Sequence, residues 1–179
     1  MTDPRPGLVF DTGPLRHFAM QGWLGVLKYL SRDAQAMIPE TVEVELRDQS
    51  RSDPQLRQVL EADWITVDRS TDLAYLQAFA EFERLIAVGS RNRGECGVLA
   101  LGKVRGHRLI IDDRVASNHA RRAGLDSRGT LALLCDAIRE QKLTVAMVSH
   151  LADDLLIGDY RLPFEQGHFA QWADENGLI

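Results

Sequence analysis

The sequence is poor in the features that mark secreted and membrane-spanning proteins. Its two cysteines, Cys96 and Cys135, form neither a C-x-x-C pair nor a disulfide framework, and such low cysteine usage is typical of a reducing cytosol. No apolar run approaches the roughly 20 residues that a membrane-spanning helix needs. Residues 1–6 lack the apolar core of a signal peptide. We therefore expect a cytoplasmic protein without a membrane partner.

Positive charge is also scarce. The 21 Lys and Arg residues are outnumbered by 26 Asp and Glu residues, which gives a net charge of −5. This balance excludes the electrostatic footprint of a general nucleic-acid binder, although it allows a local basic rim beside an acidic pocket. With 179 residues, of which 45% are hydrophobic, the chain is long enough to bury a core, and we expect a single domain over residues 1–179.

Short apolar runs alternate with longer amphipathic segments along the chain. Strands are predicted at residues 7–10, 36–38, 64–68 and 109–111. Helical spacing of the apolar residues between them predicts parallel βαβ units, and hence a three-layer α/β domain with a central parallel sheet and helices on both faces. We expect the core of this domain over residues 8–150, a turn at 127–130 and a helical C-terminal segment at 151–179.

The run Leu109-Ile110-Ile111 is followed directly by two adjacent acids, Asp112 and Asp113. Three large aliphatic residues in a row are typical of a strand buried on both faces of a parallel sheet. In open α/β sheets, ligands gather at the carboxyl ends of the strands. Two unit negative charges about 4 Å apart repel each other by roughly 4 kcal/mol at an effective dielectric constant of about 20. The fold must therefore supply a cation, a proton or divergent side-chain directions.

Three further acids lie at comparable points of the predicted fold. Asp11 follows the first strand, Glu45 lies on the helix after the second, and Glu95 opens the helix that follows a basic loop. Carboxylates from separate segments, without a His or Cys ligand pattern, suit an oxygen-preferring cation such as Mg²⁺ or Mn²⁺. Such an ion would neutralise the cluster, polarise a phosphoryl oxygen and generate a hydroxide for attack.

The basic residues give weaker evidence for a functional role than the acids do. Arg91, Arg93 and Arg114 are candidates for substrate binding through charge-assisted hydrogen bonds to phosphate groups, and the alternative is a solvated surface with local ion pairs. The five histidines are scattered without ligand spacing. We therefore expect the histidines to have structural or surface roles.

Four motifs, taken in their order along the chain, resemble those of PIN domains. They lie at residues 9–15 (VFDTGPL), 38–46 (IPETVEVEL), 93–95 (RGE) and 109–114 (LIIDDR). The similarity is greatest to the branch related to VapC-type toxins, in which the third acid lies in a Gly-Glu motif, and residues 129–131 (GTL) match that branch too. The resemblance implies a Rossmann-like, metal-dependent endoribonuclease acting on RNA. It also implies the toxin half of a type II toxin–antitoxin pair, with an antitoxin partner and a homodimeric assembly.

Three of the family's acids map onto single positions of this chain. The resemblance assigns Asp11 as the first acid, Glu45 as the second and Glu95 as the third, with Asp11 and Glu95 as metal ligands. It also assigns the hydroxyl of Thr12 as a group that supports the first acid without binding the ion.

The fourth acid has two candidates, and both are possible metal ligands. Spacing to Gly124 favours Asp113, whereas the position directly after the strand favours Asp112; of the two we favour Asp113. Two other functions stay open beside the ribonuclease. One is a catalytically inactive PIN-like module used for binding or assembly, and the other is the same phosphate chemistry directed at DNA or nucleotides.

Overall fold

A five-stranded parallel sheet forms the centre of the protein. The computed structural model describes residues 6–89 and 91–179. In chain order the strands are β1 (Leu8–Phe10), β2 (Ala36–Pro39), β3 (Ile65–Asp68), β4 (Arg108–Ile110) and β5 (Ser127–Arg128). Their spatial order is β3-β2-β1-β4-β5, and every neighbouring pair is parallel. The predicted α/β class with a central parallel sheet is confirmed.

Helices surround this sheet and connect its strands. They are α1 (Thr12–Met20), α2 (Leu24–Leu30), α3 (Glu40–Gln49), α4 (Arg57–Leu60), α5 (Leu73–Ile86), α6 (Arg93–Arg105), α7 (Arg114–Arg122), α8 (Thr130–Arg139), α9 (Val145–Ile157) and α10 (Phe169–Glu175). A short 3₁₀ turn, Pro54–Leu56, precedes α4. In the part of the chain that the structure describes, no helix is long and apolar enough to cross a membrane.

The central strand β1 fixes where the carboxyl ends of the strands meet. Val9 and Phe10 are fully buried, because β1 is paired on both sides and covered by helices. The backbone N–H of Asp11 donates to the carbonyl of Ile110 at 3.1 Å, so the residues that follow β1 and β4 lie side by side. The strand order reverses between these two strands. A parallel sheet opens a crevice at such a reversal, outside the carboxyl ends of the strands.

The prediction of a turn at residues 127–130 was wrong in part. Ser127 and Arg128 form β5, which pairs with β4 through the registers Leu109 with Ser127 and Ile110 with Arg128. The strand is only two residues long and both of its side chains are polar. Because β5 is defined by backbone pairing alone, no apolar run marks it in the sequence.

The C-terminal segment packs onto the helices at the start of the chain. The indole N–H of Trp23 donates to the carboxylate of Asp154 at 2.8 Å, which ties α9 to the beginning of α2. Beyond α9, the ring of Tyr160 lies edge-on against His17 with 4.7 Å between ring centroids. These contacts hold the residues after α9 beside the carboxyl edge of the sheet.

Candidate active site

A cavity of about 520 Å³ opens at the carboxyl edge of the sheet, where the strand order reverses. All five acids that the sequence singled out line it. They are Asp11, Glu45, Glu95, Asp112 and Asp113. Asp11 follows β1, Glu45 lies on α3, Glu95 lies in the first turn of α6, and the last two connect β4 to α7. The topology therefore brings together side chains that are up to about one hundred positions apart in the sequence.

Asp11 is the most enclosed of these acids. Asp11 is only 4% exposed, and its Oδ1 atom has no hydrogen-bond partner among the described residues. Burial, and then the charge of Glu95, raise the pKa of Asp11 well above its ordinary value. The backbone N–H of Thr12 acts in the opposite direction, and the charges of Glu45 and Asp112 raise the pKa further. This carboxylate is therefore buried without the neutralising partner that a buried charge requires.

Glu45 is held at both of its carboxylate oxygens. The Thr12 hydroxyl donates to Oε2 at 2.7 Å, and the backbone N–H of Gly94 donates to Oε1 at 2.8 Å. A Cβ atom on Gly94 would lie 2.5–2.9 Å from the Glu45 carboxylate atoms, which is too close for a side chain at this position. The Thr12 hydroxyl thus contacts the second acid, while its backbone N–H faces the first. Glu45 is fixed between α1 and α6 by these two bonds.

Glu95 lies where the N-terminus of α6 points into the cavity. Burial raises the pKa of Glu95, its own backbone N–H lowers it, and the charges of Glu45 and Asp113 raise it again. An acid in the first turn of a helix is stabilised by the helix dipole. In the structure as described, the Glu95 carboxylate accepts no hydrogen bond from the side chain of another residue. Its oxygens are therefore available to a ligand.

The two adjacent acids after β4 diverge. Asp112 accepts hydrogen bonds from Thr130 at both oxygens, from the backbone N–H at 2.7 Å and from the hydroxyl at 2.6 Å. Asp113 caps α7 by accepting from the backbone N–H of Ala116 at 2.8 Å. Both side chains line the cavity. The divergence relieves their mutual repulsion, and it leaves Asp113 with the less engaged carboxylate.

No lysine or arginine forms a salt bridge with any of the five acids within residues 6–89 and 91–179. The cavity does contain Arg16, but its guanidinium pairs with Asp53 at 3.2 Å. The fold therefore gathers negative charge here without balancing it from its own described side chains.

The three arginines predicted to bind substrate lie outside this cavity. Arg93 is 3.7 Å from the Glu83 carboxylate and lies over the ring of Phe79. Arg91 and Arg114 are exposed, and Arg114 begins α7 directly after Asp113. Their role in substrate binding stays a prediction.

Sequence reasoning missed two residues of α1 that line the cavity. Arg16 and His17 share one face of this helix with Gly13, at the spacing i, i+3 and i+4. That spacing, counted from the start of the helix beside Asp11, was the signal that could have identified them. Burial and the neighbouring Arg16 lower the pKa of His17. The charges of Asp112 and Asp159 act in the opposite direction and only partly offset this lowering.

The donor set suits a hard divalent cation. Over the described residues, no three His, Cys, Asp or Glu side chains meet at a spacing that already encloses an ion. The cavity nevertheless offers carboxylate oxygens from separate segments, including the unpartnered Oδ1 of buried Asp11. Oxygen ligands of this kind are preferred by Mg²⁺ and Mn²⁺. A cation would supply the neutralising charge that the cavity lacks.

In a parallel α/β sheet, a cavity at the switch point is the usual place of a ligand site. The comparison with protein families is more specific, because a family model described as a PIN domain matches residues 7–166, and the chain belongs to that family. PIN domains are typically nucleases that act on nucleic acid, and they generally use divalent metal ions. A comparison with curated proteins returned no match.

Proposed function

We propose that this protein is an endoribonuclease that hydrolyses RNA phosphodiester bonds with Mg²⁺ or Mn²⁺. One observation supports the proposal above all others. Five carboxylates from four separate segments line one cavity, and none of them forms a salt bridge with a described lysine or arginine. A fold that serves only as a scaffold would gain stability by pairing or removing charge gathered in this way, above all that of buried Asp11.

The free oxygens of the cavity suggest how the acids divide their roles. Asp11, Glu95 and Asp113 would hold the cation, because each has a carboxylate oxygen without a partner among the described residues. Glu45 would complete the cavity wall, and Asp112 is the alternative fourth ligand. When bound, the cation polarises the phosphoryl group and lowers the pKa of a coordinated water.

Three residues around the other two acids, Glu45 and Asp112, would keep this arrangement in place. Thr12 and Gly94 fix Glu45, and Thr130 fixes Asp112. Hydrogen bonds to the outer side of a metal site orient its ligands and raise its affinity. Thr12, Gly94 and Thr130 therefore position Glu45 and Asp112 and do not take part in the reaction.

The choice of RNA and the biological role rest on the resemblance of the motifs to VapC-type toxins, including the Gly94-Glu95 pair. We propose that the protein is a cytoplasmic toxin of a type II toxin–antitoxin system, with residues 1–179 forming one homodimerising domain. An antitoxin would block the acidic cavity, and an inserted arginine would suit the carboxylates there.

Cleavage assays with one substituted acid test the proposal. Asp11→Asn keeps the size of the side chain and removes its charge, so we expect Mn²⁺-dependent RNA cleavage to fall at least about 100-fold, the scale on which loss of a transition-state electrostatic contact acts. EDTA should have the same effect on the unsubstituted protein.

Asp33→Asn is the matched control, because Asp33 is an exposed acid outside the cavity; its cleavage should be unchanged. Full activity in a folded Asp11→Asn protein would contradict the proposal. RNA and DNA oligonucleotides of the same sequence should be compared in the same assay. A preference for DNA would contradict the choice of substrate, and no cleavage of either would favour an inactive binding module.

A further inference from the structure

A second cavity, of about 360 Å³, adjoins the acidic one at the carboxyl edge of the sheet. His17 and Asp112 line both cavities. The two cavities are therefore neighbours at the sheet edge on the side of β5, and we call the pair the groove. The second cavity is within the range of about 300–1,000 Å³ that is typical of small-ligand sites.

The wall of the second cavity is built by the segment between α9 and α10. It contains residues 159–163, and Tyr160 anchors it because this residue is only 9% exposed and its ring packs edge-on against His17. Gly158 lies so close to Gln21 that a Cβ atom there would be 2.8 Å from the side-chain Cδ. The wall is thus fixed by packing against α1 and the residues that follow it.

The lining of the second cavity combines apolar and charged groups. Leu131, Leu162 and Pro163 supply apolar surface. Arg161 is exposed and forms no salt bridge with a residue that the structure describes. Asp159 also lines the cavity, and its left-handed backbone (φ 60°) ends α9, with the backbone N–H of Tyr160 donating to the carbonyl of Leu155 at 3.0 Å.

Each of these features has a counterpart in one nucleotide. A base face contacts apolar side chains, a base N–H donates to a carboxylate such as Asp159, and a phosphate accepts charge-assisted hydrogen bonds from an arginine. The acidic cavity does not combine these features, since no large apolar side chain of the described residues lines it and its arginine, Arg16, is paired with Asp53. An RNA strand that crosses the groove would therefore place its cleaved phosphate over the acids and its next nucleotide in the second cavity.

We infer that the second cavity is a binding subsite for the nucleotide that flanks the cleaved phosphodiester bond, with Arg161 as its phosphate contact. This inference rests on the proposed nuclease function and assigns part of the substrate to residues outside the acidic site. It also fits the proposed internal cleavage of RNA, because a groove that extends beyond the acids has room for the RNA chain on that side of the cleaved bond.

Equilibrium binding of a fluorescent single-stranded RNA to the Asp11→Asn protein tests the inference without cleavage. Arg161→Ala should weaken binding about five- to tenfold. It should also reduce the slope of log Kd against log salt concentration by about 0.7, the value for one lost phosphate contact on a single strand. A purely structural role of Arg161 would leave that slope unchanged.

Leu131→Trp fills the cavity and tests the apolar part of the subsite. It should weaken binding by a similar factor without changing the salt dependence, because no charge is lost. The control is Arg84→Ala on α5, which removes an exposed arginine that lines neither cavity and should leave the affinity within about twofold.

The outcomes separate the two proposals. If the unsubstituted protein cleaves RNA while Arg161→Ala binds like Arg84→Ala, the subsite is wrong and the nuclease function stands. If Arg161→Ala weakens binding with an unchanged salt slope, the phosphate contact is wrong. If the unsubstituted protein neither cleaves nor binds RNA, both proposals fail. Thermal unfolding of each variant confirms that it is folded, and Arg161→Ala keeps the test decisive if Leu131→Trp does not fold.

Discussion

The two ends of the parallel sheet differ in how their acidic residues are paired with basic residues. At the amino end, a cavity of about 260 Å³ contains Asp33, Glu140 and Lys142. Lys142 lies 2.8 Å from the Glu140 carboxylate and 3.9 Å from that of Asp33. At the carboxyl end, six acids line the larger cavity, and only Asp53 forms a salt bridge with a described cation, Arg16. The acids at the amino end are therefore neutralised by the protein itself, and five of the six at the carboxyl end are not.

This difference distinguishes ordinary surface ion pairs from a candidate binding site. Exposed ion pairs such as those of Lys142 contribute about 0–1 kcal/mol each. Gathered, unpaired carboxylates reduce stability, because burial and mutual repulsion disfavour their charged forms. Protonation or divergence of the side chains relieves part of this repulsion, and the proposed function assigns the remaining compensation to a bound cation. The following predictions test this contrast, from the largest expected effect to the smallest.

Gly94→Ala should have the largest effect on stability, because the added Cβ would displace the Glu45 carboxylate from its bond to the backbone of α6. We expect the free energy of unfolding to fall by about 1.5–3 kcal/mol, the contribution of a hydrogen bond to a charged group. RNA cleavage should fall roughly 10- to 100-fold, as is usual when a residue behind a metal ligand is lost. Denaturant unfolding and a cleavage assay measure the two effects.

Gly25→Ala on α2 is the matched control for that substitution. No atom lies within 4 Å of the added Cβ, and alanine favours a helix over glycine by about 0.5–1 kcal/mol. We therefore expect a small gain in stability and unchanged cleavage. A Gly94→Ala protein that behaves like Gly25→Ala would show that Glu45 does not need its bond to α6.

Asp11→Asn should stabilise the metal-free protein at neutral pH, since it removes a buried charge. The folded-state pKa of Asp11 is raised, so the stability that its protonated form provides is fully present below the ordinary Asp pKa of about 4 and is lost as the pH rises through the raised value. Calorimetric scans in EDTA should show a Tm about 2–4 °C above that of the unsubstituted protein at pH 8, and almost no difference at pH 4. An equal difference at both pH values would contradict an origin in the charge of Asp11.

Asp33→Asn at the amino end should have the smallest effect. Both Asp33 and its partner Lys142 are solvated, and their 3.9 Å separation makes the pair weak. We expect the free energy of unfolding to change by less than about 0.5 kcal/mol, measured by denaturant unfolding at low and at high salt. A larger loss would mean that the acids of the two ends differ less than the geometry indicates.

Much of the fold was predictable because its signals are local. The apolar runs at β1, β2, β3 and β4 predict four of the five strands of the sheet. β5 could not be predicted, because Ser127 and Arg128 join the sheet only through backbone bonds to β4. The start of α10 at Phe169 also escaped prediction, since tertiary packing against α9 decides where that short helix begins.

The candidate site was predictable as a set of acids but not as a geometry. Motif order along the chain identified the five carboxylates that line the cavity. It gave no indication that the hydroxyl of Thr12 contacts Glu45, or that Thr130 engages both oxygens of Asp112. Such contacts join residues 18 and 33 positions apart, and they depend on side-chain directions that only the folded chain defines.

Binding of Mn²⁺, measured by isothermal titration calorimetry, tests most directly whether the unpaired acids form a cation site. We expect a saturable heat for the unsubstituted protein and for Asp33→Asn, and none for Asp11→Asn, because only the last loses a carboxylate from the cavity. Equal saturable heats for all three proteins, or no heat for any of them, would contradict the account.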